Sequence, residues 1–172
     1  MRPKVSIIGA GMTGATTAHW LASLEIADLV LIDVVEGLAK GKALDLQQAM
    51  PVIRKDLKIT GGTSFELTAN SDIVVITAGL PRKPGMSRDD LLAANADIVR
   101  QAAINTLQYS PQAIYIVLTN PLDVMTYLAM KVTGLPAQRV FGQAGILDST
   151  RMATFVAEEL GVSVENVHCY VL

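Results

Sequence analysis

The sequence predicts an α/β protein built on a doubly wound parallel sheet. Three observations predict it. Short β-branched runs alternate with longer stretches of helical period. The runs are apolar at successive positions, as strands covered on both faces must be. A glycine-rich turn, Gly9-Ala10-Gly11-Met12-Thr13-Gly14, joins the first run to the first helical stretch.

In chain order, residues 5–8, 29–32, 73–77 and 114–118 read as strands, while 13–24, 37–49, 88–107 and 122–132 read as helices long enough to cross over a sheet. Residues 148–160 add a further helix, and 167–172 a strand that stops at the last residue, as in a cut chain. Val5-Ser6-Ile7-Ile8-Gly9-Ala10-Gly11 is echoed by Ile73-Val74-Val75-Ile76-Thr77-Ala78-Gly79, a repeat expected of a fold made of two stacked halves. Ligands of such sheets gather at the carboxyl ends of the strands, where the strand order reverses.

Composition narrows the function classes. At 172 residues one compact unit is expected, and 51% apolar against 17% charged residues excludes disorder. With 14 basic and 16 acidic side chains the net charge is −2, too weak a field to attract nucleic acid or an anionic membrane. Lone Cys169 and two histidines leave no disulfide or zinc spacing and no metal site. Cys169, Tyr170 and the seven methionines read as packing residues. The basic start Met1-Arg2-Pro3-Lys4 precedes an apolar run, as in a secretory leader, but Gly9, Gly11 and Gly14 break that run, and no stretch reaches the ~18 apolar residues of a membrane span. A cytoplasmic protein is expected.

Three places carry chemistry. In the glycine turn, Gly9 suits a tight bend, Gly11 a close backbone approach to a pyrophosphate, and Gly14 close helix–strand packing; the helix start then favours the phosphates without a lysine or arginine. An isolated glycine turn of this kind can also serve packing alone. Asp33 ends the second strand about 20 residues on, where a carboxylate accepts hydrogen bonds from the adenosine ribose. Neutral Val34 and Val35 follow it, which favours NAD over NADP; the alternative is a helix cap. The loop Leu80-Pro81-Arg82-Lys83-Pro84-Gly85-Met86-Ser87-Arg88 brings three cations to the same sheet edge. Simple solvation is one reading, and a carboxylate grip by Arg82 and Arg88 under a lid is the other. Thr119-Asn120-Pro121 offers a side-chain amide after another strand, and Asp148 stands three residues before Arg151, either as a local N-cap pair or as a site acid.

These stretches, together with Val34-Val35-Glu36-Gly37, Gly41-Lys42-Ala43-Leu44-Asp45-Leu46, Thr119-Asn120-Pro121-Leu122-Asp123 and Gly145-Ile146-Leu147-Asp148-Ser149-Thr150-Arg151, resemble the amino-terminal part of NAD-dependent malate dehydrogenases of the lactate-dehydrogenase-like type. The resemblance covers the whole chain. It implies a Rossmann-type NAD-binding domain over residues 1–147 and the start of a substrate domain over 148–172. It implies that Gly9, Ala10, Gly11, Met12, Thr13, Gly14, Asp33, Asn95, Leu118 and Asn120 bind the cofactor. Arg82 would bind the distal carboxylate of a dicarboxylate, malate or oxaloacetate, where lactate dehydrogenases carry glutamine; Arg88 would polarise the reacting carbonyl. Asn120 would touch substrate and nicotinamide, Arg151 would hold the carboxylate beside the reacting carbon, and Asp148 would orient a catalytic histidine.

In relatives that histidine follows the strand ending here at Cys169-Tyr170-Val171-Leu172, so the chain alone is expected to bind NAD without turning over. His19 and His168 read as structural. The resemblance places the helix at 37–49 at a subunit interface, implying a homodimer or homotetramer. The rival readings are an L-lactate dehydrogenase and a non-catalytic NAD-binding or assembly module.

Overall fold

The computed structural model describes residues 2–81 and 85–171. Its contacts divide the chain into two compact units, Met1–Gly142 and Gln143–Leu172. The first unit holds a six-stranded parallel sheet in the order β3-β2-β1-β4-β5-β6. The strands are β1 (Lys4–Ile8), β2 (Asp28–Ile32), β3 (Ile59–Gly62), β4 (Ile73–Ile76), β5 (Ile114–Val117) and β6 (Val140–Gly142). Between them run α1 (Met12–Leu24), α2 (Leu38–Ala49), α3 (Arg88–Tyr109) and α4 (Leu122–Thr133).

The continuous apolar runs follow from burial on both faces. Side chains alternate across a strand, so Val5, Ile7, Leu29, Leu31 and Val75 join one core with Ala18 and Ala22 of α1 and Ala39 and Ala43 of α2. Ile8, Val30, Ile32, Val74 and Ile76 enter a second core with Val99, Ala102 and Ala103 of α3 and Met125 and Ala129 of α4. Both layers need apolar cover, which is why the strands are mostly apolar at successive positions; buried Ser6 of β1 is satisfied by a hydrogen bond with Ser71 Oγ at 2.6 Å. The sequence echo has a direct structural meaning: β1 pairs β4 in the register Val5↔Ile73 through Ile8↔Ile76, so the matching residues lie side by side.

β3 and β6 were not anticipated. Each carries glycine at its end, where a neighbouring helix comes too close for a side chain: a Cβ on Gly61 would overlap the Ala39 carbonyl oxygen of α2, and one on Gly142 would lie 2.7 Å from Thr126 Oγ1 of α4. Close helix packing thus removed the residues that advertise a strand.

In the second unit α5 (Gly145–Leu160) is followed by a 3₁₀ turn over Val164–Asn166. The helix begins three residues before Asp148, and the expected domain boundary at 147/148 falls inside it. Residues 167–171 do not form the expected strand. A strand exists only through pairing, and their own unit contains no other strand among the described residues. They are tied down by the Val171 N–H, which donates to Ser149 Oγ at 3.0 Å, and the Val167 N–H, which donates to the Val164 carbonyl at 3.1 Å. Cys169 is half-buried, and Tyr170 and Met12 are 81% and 85% exposed, so none of the three is a core packing residue; Met50 and Met125 are. No helix among the described residues is long and apolar enough to cross a membrane, and none of their side chains cluster as metal ligands.

Candidate functional site

The sheet order reverses between β1 and β4, and a crevice opens there at the carboxyl ends of the strands. One arm, about 530 Å³, lies under the start of α1 and reaches Leu118, Thr119 and Asn120 after β5. The other, about 250 Å³, is walled by Ile32, Asp33, Val34, Phe65 and Ile98. Gly11, Thr77, Gly79 and Leu80 line both arms.

The glycine turn is shaped by contact rather than by looseness. Gly9 holds φ +104°, and a Cβ there would stand 2.6 Å from the Ala78 nitrogen. A Cβ on Gly14 would overlap the Gly9 carbonyl oxygen and crowd Thr77 Oγ1 at 2.8 Å. Thr77 Oγ1 donates to the Gly9 carbonyl at 2.9 Å, so β4 fastens the turn that ends β1. Gly11 meets nothing: no atom lies within 4 Å of a Cβ built on it. Space above that residue is the space a diphosphate needs. Gly11 is also the N-cap of α1 and offers no side-chain cap, nor does the first turn contain an acid, so the helix presents its free N–H groups and positive dipole end to the cleft. Met12 and Thr13 stand at that mouth.

Asp33, half-buried one residue past β2, is oriented by the backbone: Ala10 N–H donates to Oδ2 at 2.7 Å and Val35 N–H to Oδ1 at 3.0 Å. Each carboxylate oxygen keeps a second lone pair for a ribose hydroxyl. Val34 and Val35 are exposed beside it. They are followed by Glu36, not by an arginine that could receive a further phosphate.

At the other arm Asn95 of α3 is 1% exposed and lines the cleft. Its Oδ1 accepts the Leu80 N–H at 2.7 Å, and its Nδ2 donates to the Asn120 carbonyl at 2.7 Å and to the Leu80 carbonyl at 3.3 Å. The amide therefore ties the stem of the 80–88 loop to the Thr119-Asn120-Pro121 turn. Thr119 reinforces this by donating to the Ala78 carbonyl at 2.7 Å. The Asn120 side chain is left exposed at the cleft rim.

Ser87 and Asp90 form a capping box at the head of α3, and the hydrogen bonds from Ser87 hold the Asp90 carboxyl below its ordinary range. Arg82, and the side chain of Arg88, lie outside the described residues. Asp148 and Arg151 sit in the second unit. Asp148 is in the first turn of α5, not at its N-cap, which is Ala144; Arg151 pairs with it at 3.3 Å, both side chains more than half exposed. His19 is exposed on α1, edge-on to Trp20 with ring centroids 6.0 Å apart, and His168 is exposed in the second unit.

One contact was missed in the sequence: Lys42 of α2 donates to the Ala10 carbonyl at 2.6 Å. The lysine stood in a noted stretch, but a helical lysine reads as a solvated charge, and nothing local reveals a partner 32 residues away.

Residues 3–142 match the family model described as lactate/malate dehydrogenase, NAD binding domain. The chain belongs to this family. Among lactate/malate dehydrogenases it is 55% identical to the malate dehydrogenase of Roseiflexus sp. (strain RS-1), over all of this chain and 56% of that protein. It is 58% identical to that of Desulforudis audaxviator, over 99% of this chain and 55% of that protein. The chain thus spans about half the length of the curated relatives it matches. The structure of Cryptosporidium parvum malate dehydrogenase superimposes with a TM-score of 0.95 at 46% identity, covering 99% of this chain and 55% of that one. The lactate dehydrogenase of the same organism, solved with lactic acid and β-nicotinamide adenine dinucleotide, gives 0.94 at 40% identity, covering 99% and 54%. The backbone alone does not separate the two members of the lactate/malate dehydrogenase family.

Proposed function

We propose that this chain is the NAD-binding part of a malate dehydrogenase, an oxidoreductase interconverting (S)-malate and oxaloacetate. The observation that carries this reading is the crevice at β1 and β4, with an oriented carboxylate, Asp33, in one arm and Asn120 in the other. NAD fits the residues present: Gly11 leaves room for the diphosphate, α1 turns its free N–H groups toward it, and Asp33 keeps lone pairs for the ribose. When bound, the coenzyme supplies the hydride acceptor at its nicotinamide.

The remaining roles come from resemblance. Gly9, Ala10, Gly11, Met12, Thr13 and Gly14 form the diphosphate turn, while Asn95, Leu118 and Asn120 serve the nicotinamide side. Arg82 and Arg151 hold the two substrate carboxylates and Arg88 polarises the carbonyl, each able to grip oxygen through paired N–H donors. Asp148 orients the histidine that moves the hydroxyl proton. That histidine is neither exposed His19, engaged with Trp20, nor His168. The 172-residue chain by itself therefore binds NAD without turning malate over. Residues 1–147 form the NAD-binding domain and 148–172 begin the substrate domain, in a cytoplasmic homodimer or homotetramer that uses the helix at 37–49 as an interface.

Calorimetric titration of this chain with NAD and NADP tests the cofactor. Saturable heat with NAD and at least tenfold weaker binding of NADP is expected; silence with both overturns the reading. Malate-dependent NADH formation by the purified chain would contradict its inactivity. In the full-length enzyme oxaloacetate should be preferred over pyruvate, and Arg82→Gln should shift that preference toward pyruvate. The opposite preference in the parent favours the lactate dehydrogenase reading.

A further inference from the structure

Ala10 is gripped from both sides. Its N–H is taken by Asp33 at 2.7 Å and its carbonyl by the Lys42 ammonium at 2.6 Å, from two elements distant in sequence. The residue itself is completely buried. In a trans peptide the carbonyl and the following N–H share a plane and point in opposite directions. Fixing the Ala10 carbonyl toward α2 therefore sets the direction of the Gly11 N–H away from α2. Gly11 lines both arms of the crevice and has open space above it.

Lys42 has a second property. It makes no ion pair among the described residues, where the cations Arg2, Lys55 and Arg151 all do. It is half-buried, so its charge is incompletely screened by water, and its ammonium donates to the Ala10 carbonyl. A half-buried, unneutralised cation behind the turn is complementary to an anionic ligand in front of it.

We infer that Lys42 is a positioning residue for the ligand's diphosphate: it aims the Gly11 amide through the Ala10 peptide and adds positive charge behind the turn. This rests on the dinucleotide reading of the crevice. The consequence is selective. A nucleoside without phosphates uses Asp33 and the apolar arm near Phe65 and Ile98, and is indifferent to Lys42; a nucleotide carrying a diphosphate is not.

The test is titration of the 172-residue chain with NAD, ADP and adenosine, comparing wild type, Lys42→Met and Lys42→Arg. NAD and ADP should each bind about tenfold more weakly to Lys42→Met, adenosine within twofold of wild type, and Lys42→Arg should restore most of the loss. The Gly11 amide resonance should move in Lys42→Met before any ligand is added. Unchanged NAD affinity in Lys42→Met, or an equal loss for adenosine and NAD, overturns the inference while leaving the dinucleotide reading intact. Wild type that binds neither NAD nor adenosine overturns that reading, and the inference with it. Should Lys42→Met not fold, Lys42→Gln is titrated with the same three ligands and judged by the same outcomes.

Discussion

Gly11 and Gly14 stand three residues apart in one turn, yet their replacement should have opposite signatures. Gly11 adopts φ −65°, which alanine accepts, and no neighbour lies within 4 Å of its missing Cβ. Gly11→Ala should therefore change stability by less than about 1 kcal/mol, as cap substitutions by alanine commonly do, while weakening NAD binding because the methyl stands in the cleft. Gly14→Ala drives a methyl into the Gly9 carbonyl. Neither backbone can give way without moving β1 or α1, so a loss of about 3 kcal/mol in urea unfolding is expected. Asn95 supplies a third case. Asn95→Leu keeps the volume but removes the partners of the Leu80 N–H and the Asn120 carbonyl. With two hydrogen bonds lost, a cost of about 2 kcal/mol should follow, and, on the proposed reading that this turn serves the nicotinamide, NAD binding should weaken more than ADP binding.

At the level of elements, the head of α3 makes stability depend on acidity. Hydrogen bonds from the Ser87 hydroxyl and backbone N–H hold the Asp90 pKa below the ordinary carboxylate value. A group whose folded pKa is depressed stabilises the fold above its unfolded pKa and loses that contribution as pH falls through the folded value. Ser87→Ala should therefore cost most near neutrality, and the difference in unfolding midpoint between it and wild type should narrow below about pH 4. A gap independent of pH would show that the ionised carboxylate is not part of the cap.

The elements also show what sequence can and cannot carry. β1, β2, β4 and β5 were legible because burial on two faces favours runs of β-branched and aliphatic residues. β3 and β6 were not, because the α2 backbone presses on Gly61 and the Thr126 and Leu122 side chains of α4 press on Gly142, leaving no room for the side chains that would have marked a strand. Residues 167–171 have strand-like composition, but composition supplies no partner. Within the site, the glycine turn and Asp33 could be read from spacing, since their chemistry is local to one βαβ unit. Lys42 and the bonding of Asn95 could not be, because their partners lie 32, 15 and 25 residues away and are fixed only by how helices dock on the sheet.

For the molecule as a whole, folding and ligand binding should be linked. A ligand that binds only the folded chain stabilises it by RT ln(1 + [L]/Kd), about 2.7 kcal/mol at one hundred times Kd. Thermal melts with rising NAD should follow that logarithm, whereas equal concentrations of malate alone should leave the midpoint where it was. α1 and α2 cover one face of the sheet, α3 and α4 the other, and the two sets part between β1 and β4. No choice of side chains could seal that parting without reversing the winding of one half. The opening is older, in the logic of the fold, than anything that binds in it: swapping the residues along its rim can change the guest, but the doorway stays for as long as the strands keep their order.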